Sequence, residues 1–281
     1  MVACFSRLSW IPPSPFFIRL GGVVLGRVIF VVCVEVRRGM ILRCTGCGSE
    51  VGAGARFCPN CGAQLGPVVP SPSGLVYLFG DRFAGRDKLL AVGEKLPCSE
   101  VKVQKKDLVQ AMFRGAFASL AQDGCLSLSL GQKKILLFKA SAVFVTINRR
   151  EARESGGLEA SILQAITGDP RRDSVEEVVG RAIGEESVDP WGAVIDQTRE
   201  HLLRLGYFVE EERSGLGGLV PGRKLLPQCE RIMALQGNVP TVLALLEGLS
   251  SRDPTLNKQL GEDIKKGITS RYKTREIDAD E

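Results

Sequence analysis

Cys44-Thr45-Gly46-Cys47 and Cys58-Pro59-Asn60-Cys61 set four cysteines in the pattern C-x2-C-x10-C-x2-C. Two residues between cysteines let one tight turn aim both thiolates at a single ion. Gly48 and Gly62, which follow the two pairs, supply the backbone freedom such a knuckle needs. The ten residues 48–57 suit a short hairpin that returns the second pair to the first. Four thiolates with no other ligand on offer predict Zn²⁺ in a closed, tetrahedral, structural site. No position stays open for water, so this metal is not expected to do chemistry. A redox pair would want a βαβ setting, which is absent. Rubredoxin-like iron would want a longer separation between the knuckles.

Over Met40–Leu65, from Met40-Ile41-Leu42-Arg43-Cys44 through Phe57-Cys58-Pro59-Asn60-Cys61, the chain closely resembles the short prokaryotic zinc-ribbon family. The resemblance spans about 26 residues. It implies a metal-stabilised adaptor knob, a module that heads proteins of many functions. In a unit this small the binding energy of the metal is folding energy. Of the other cysteines, Cys98, Cys125 and Cys229 stand singly in mostly apolar surroundings and are expected to be free, buried and inert. Unpaired thiols beside a thiolate metal site point to a reducing cytoplasm.

Upstream of the ribbon, residues 1–39 differ from everything after them. Of these 39 residues 23 are apolar, with five Arg, one Glu and no Lys or Asp. Phe16–Val36 is apolar enough to suggest a span, but Arg19, Arg27 and Glu35 interrupt it. The uncharged run Val28–Val34 is too short to cross a bilayer. No small-residue cleavage site follows it, only Glu35-Val36-Arg37-Arg38. The segment reads first as a doubtful leader ahead of a start at Met40. A membrane-associated leader and a poorly ordered extension are the other two readings.

Downstream, residues 66–74 carry three prolines and no charge, the composition of a semi-extended linker. Residues 75–149 then read as a helix-plus-hairpin module. Its helix runs from Asp107 to Gln122, stopped by Gly124; its strands are Cys125–Leu130 and Ile135–Phe138, turning at Gly131-Gln132, with a further β segment over Ala142–Ile147. Residues 150–226 offer an amphipathic Leu158–Thr167, a capping box at Ser174-Val175-Glu176-Glu177, and Asp189-Pro190 opening a third helix that Gly206 ends. A hairpin with a Gly-rich tip at Gly215–Gly218 follows. Three helices and a two-stranded wing are the winged-helix order. Residues 227–281 read as helices broken near Pro240 and Pro254, then a tail. The helix-Gly-strand of Ala116–Leu130 and the helix-hairpin of Leu202–Leu226 also bear a likeness to the Golgi-phosphoprotein family of phosphoinositide-binding, mainly helical domains. No lipid-binding motif of that family can be placed here, so no residue is carried over. The expected class is α+β: a mainly helical body with winged-helix-like units behind a small zinc ribbon.

Charge separates the two middle modules. The 281 residues sum to +5, but residues 1–39 supply +4 of that; 75–149 carry +6 and 150–226 carry −5. Lys102, Lys105, Lys106, Lys133, Lys134 and Lys139 are a candidate patch for an anionic ligand, whether phosphate backbone or anionic lipid. The plainer reading is a solvated face, or one that docks on the acidic module. On the third helix Gln197, Arg199 and Arg204 are the residues that would read DNA, offset by Asp196 and Glu200. Enzyme signatures are missing: there is no P-loop, no strand-linked G-x-G-x-x-G and no G-x-S-x-G elbow. The single histidine, His201, reads as a packed or surface residue. The sequence therefore points to a non-enzymatic cytoplasmic adaptor with one structural zinc and a protein partner. Nucleic-acid binding is the alternative and peripheral anionic-membrane binding the weaker one.

Overall fold

The computed structural model describes residues 42–43, 47–51, 58–62, 68–85, 93–135, 138–149, 157–212 and 223–273. The leader 1–39, Cys44, the Gly215–Gly218 tip and the acidic tail lie outside them.

The ribbon begins as an antiparallel pair, β1 (Leu42–Arg43) with β2 (Glu50–Val51), Leu42 opposite Val51. Next comes α1 (Pro72–Leu78), and this corrects the linker expectation. Proline is tolerated at the first turn of a helix, where its missing N–H costs nothing. Pro72 starts α1 in that way, and Ser73, Gly74, Leu75, Val76 and Tyr77 are buried. The Tyr207 hydroxyl donates to the Val68 carbonyl at 2.7 Å, so the stretch ahead of the helix is tied down as well. At least from Val68 onward, the Pro-rich stretch is part of the body.

A short hairpin, β3 (Glu94–Lys95) with β4 (Lys102–Val103), leads into α2 (Lys105–Gln122). Leu108, Val109, Met112, Phe113, Ala116 and Phe117 of α2 are fully buried, which leaves little of the helix for solvent. It packs against α1, α3 (Gly157–Ala165), α5 (Pro190–Arg204), α7 (Val239–Arg252) and α8 (Pro254–Thr269). One apolar core runs from Leu75 to Ile268, drawing on both sides of the charge boundary at 149/150. The described residues hold four two-stranded sheets beside these helices, an α+β arrangement.

In the long hairpin, β5 (Leu126–Ile135) pairs with β6 (Phe138–Ile147) from Leu126↔Ile147 to Ile135↔Phe138. Gly131-Gln132 is therefore not the turn but mid-strand. A Cβ on Gly131 would lie 2.7 Å from the Phe144 ring, so the glycine is space for a cross-strand aromatic.

The three-helix order that follows is present: α3, α4 (Val175–Ile183) and α5, then β7 (Phe208–Glu212) paired with β8 (Arg223–Pro227). Ser174 does precede α4, yet its hydroxyl caps nothing and is buried without a partner. Its backbone bridges Phe144 of β6, which holds the residue to the strand instead. Asp189 behaves as expected and accepts from the Gly192 N–H at 2.9 Å.

The cysteine expectation fails at two positions. Cys98 and Cys229 form a disulfide with Cα atoms 5.4 Å apart, bridging 131 residues of chain. It ties the β3–β4 loop to the start of α6 (Cys229–Met233). Cys125 is buried and forms no disulfide, as the sequence predicts.

Candidate metal centre

The sulfurs of Cys47, Cys58 and Cys61 all lie within 4.8 Å of one another, and Cys44 lies outside the described residues. Cys47 and Cys58 Sγ are 3.5 Å apart. Thiolates 2.3 Å from a tetrahedral Zn²⁺ sit about 3.8 Å from each other, so this spacing suits a shared ion. The second knuckle is closed by the Gly62 N–H donating to the Cys58 carbonyl at 2.8 Å. Gly62 takes φ +72° and Gly48 φ +73°, left-handed values that a residue with a Cβ adopts only at a cost.

Two polar neighbours of the thiolates were not evident from the cysteine spacing. The Ser49 hydroxyl is 3.0 Å from Cys47 Sγ and 3.1 Å from Cys58 Sγ. The Asn60 amide donates to Cys47 Sγ at 3.6 Å. Hydrogen bonds to the charged form favour it. Ser49, chiefly through its hydroxyl and then its N–H, brings the Cys47 thiol down to about 6; the same hydroxyl lowers Cys58. Metal ligation needs thiolate, so the module is electrostatically prepared for a cation. The only hint in the sequence was a small hydroxyl residue directly after Gly48.

The six candidate lysines occupy two places. Lys102, Lys105 and Lys106 stand at β4 and the start of α2; Lys133, Lys134 and Lys139 stand near the free end of the β5–β6 hairpin. Lys105 Nζ is 2.6 Å from Asp189, and Lys133 Nζ is 2.8 Å from Glu177 and 3.8 Å from Glu176. These two lysines thus spend their charge on the acidic residues beside them. Lys106, Lys134 and Lys139 are exposed, the last two opposite each other across the hairpin.

The DNA-reading candidates of α5 are largely committed inside the body. Gln197 donates to the Ser161 hydroxyl at 2.6 Å. Arg199 donates to Tyr77 Oη at 2.7 Å and to Asp196 at 3.0 Å, and forms a further ion pair with Glu94. Burial pushes the Tyr77 phenol up to about 12 and raises Glu94 as well. Only Arg204 of the three is exposed. His201 is half-buried with its ring against Gly157, and burial followed by the Arg204 charge lowers its pKa.

Among the described residues one helical stretch, Cys229–Arg252, is long and apolar enough to cross a membrane by length and composition, which is weak support for membrane association. No curated protein and no solved structure matches the chain. Residues 43–65 match the family model of the zinc-ribbon domain, and with Cys47, Cys58 and Cys61 gathered on its knuckles this segment can bind one structural Zn²⁺.

Proposed function

We propose that the protein is a non-enzymatic adaptor whose zinc ribbon presents a rigid surface to a protein partner. The observation that carries this is the thiolate cluster of Cys47, Cys58 and Cys61 within a matched zinc-ribbon domain. Sulfur-only ligation leaves the metal no open position, so its product is shape. The order of three helices and a hairpin over residues 157–227 supports a winged-helix reading of that unit, a fold often used as an interaction module. Internal engagement of Gln197 and Arg199 favours a protein partner over DNA for that unit. The pairing of Cys98 with Cys229 withdraws the free-thiol argument for a reducing cytoplasm, so the proposal names no compartment.

A second reading, nucleic-acid binding through the ribbon and the basic module, is favoured by the exposed Lys134–Lys139 pair near the hairpin end. Anionic-membrane binding would use the same lysines.

The test is binding of the full chain to mixed DNA, RNA and anionic vesicles across a salt series. It is run beside cross-linking capture of partners by the zinc-loaded protein and by a Cys47→Ser/Cys58→Ser variant. The adaptor reading expects a protein captured only by the loaded ribbon and no salt-steep binding. Nucleic-acid or vesicle binding that falls steeply with salt, without zinc-dependent capture, overturns it.

A further inference from the structure

Away from the ribbon, a cleft of about 430 Å³ opens between α2, α7 and α8, within the size range of small-molecule sites. Asp107, Gln110, Ala111 and Arg114 form its α2 wall, spaced so that all four share one helix face. Leu246 and Glu247 of α7 stand on the other wall.

Arg114 is the unusual member. Its guanidinium is partly buried, its Nε is fully enclosed without a partner, and it forms no ion pair among the described residues. Burial alone lowers its pKa, with nothing offsetting that effect. A desolvated guanidinium left unpaired is costly, and its planar donor fork matches a carboxylate. The fold also makes room for it. A Cβ on Gly261 of α8 would collide with the guanidinium, reaching 3.0 Å from Cζ. Glycine inside a helix costs roughly 0.5–1 kcal/mol relative to alanine, and what it admits here is Arg114.

The two carboxylates of the cleft, Asp107 and Glu247, select among anions. A phosphate dianion would be repelled by them, whereas a ligand with one carboxylate and one ammonium satisfies both signs. Ala111 and Leu246 add apolar lining to the cleft.

We infer that this cleft binds a small zwitterion, an α-amino acid being the simplest, with its carboxylate on Arg114 and its ammonium beside Asp107 or Glu247. The site is separate from the ribbon and does not depend on the adaptor reading.

The test is calorimetry and thermal shift on the full chain with each common α-amino acid, and with acetate, methylamine and inorganic phosphate. At least one amino acid is expected to bind saturably and raise the melting temperature, with acetate and methylamine each at least about tenfold weaker. Arg114→Met should abolish binding while keeping the aliphatic stem packed. Glu247→Gln or Asp107→Asn, both surface changes that leave the core alone, should weaken it about tenfold. Failure of every amino acid to bind overturns the inference. So does phosphate binding that requires Arg114, affinity that survives Arg114→Met, or indifference to both carboxylate changes.

Discussion

Cys98 and Cys229 are covalently joined beside a cleft of about 880 Å³, and Cys98 holds φ +55°, a left-handed conformation uncommon outside glycine. Walls of that cleft come from the β3–β4 loop, α5 and the β7–β8 hairpin, so the bond fixes one rim of it. Closing a loop of this length removes much of the unfolded chain's freedom. Reduction, or Cys98→Ser with Cys229→Ser, is expected to lower stability by about 2–4 kcal/mol in denaturant titration. Non-reducing peptide mapping should recover the two cysteines in one linked fragment. Equal stability with and without a dithiol would contradict the pairing.

Glu159 is a fully buried carboxylate that accepts from the Ser73 N–H at 2.9 Å and the Ser73 hydroxyl at 2.6 Å, caught against the first turn of α1. Burial raises its pKa more than these bonds lower it. A raised folded pKa means the folded state takes up the proton first. Its contribution to stability is therefore greatest in acid and is lost as pH rises through that elevated value. Glu159→Gln should flatten this dependence and match or exceed the parent melting temperature at alkaline pH. Glu159→Ala, which strands the Ser73 donors, should cost about 1–3 kcal/mol in acid and less as pH rises.

Asp189 shows the opposite sign. Partial burial opposes its charge, but the Lys105 ammonium and the Gly192 N–H outweigh it and hold the carboxyl below its usual value. The stability it lends is present above the ordinary carboxylate pKa and disappears as pH falls through the depressed one. Asp189→Ala removes a helix cap as well as an ion pair and should cost about 0.5–2 kcal/mol at neutral pH. The difference from the parent should vanish in acid, which a pH series of melting curves reads directly.

Zinc content near one per chain is expected, falling to background in Cys47→Ser with Cys58→Ser. Far-ultraviolet dichroism should change little on chelation, because the ribbon contributes only two-residue strands to the described structure. Full metal retention in the double variant would refute the site.

Gly267 and Gly248 make a matched pair on neighbouring helices. A Cβ at Gly267 would meet the Glu176 carbonyl at 2.5 Å and Val179 at 2.8 Å, where α8 crosses α4. Gly267→Ala should destabilise by about 1–3 kcal/mol through overpacking. At Gly248 nothing lies within 4 Å, and Gly248→Ala should stabilise α7 by about 0.4–1 kcal/mol. Denaturant midpoints of opposite sign would confirm both.

What the sequence determined by itself was local. Cysteine spacing located the ribbon, Asp189-Pro190 opened α5, and Gly124 and Gly206 ended α2 and α5 with φ of +68° and +76°. Each of these signals acts within a short stretch of chain, so residues close in sequence carry the information. Tertiary structure decided the rest. Cys98 found a partner 131 residues away, and Val68–Gly74 met Tyr207 and Glu159 and became part of the body. Gly131 served an aromatic on the opposite strand rather than a turn, and Ser174 joined a strand instead of capping its helix. The charges that looked like a patch divided between ion pairs and solvent. In every such case composition leaves several roles equally cheap, and only the long-range partner selects one of them.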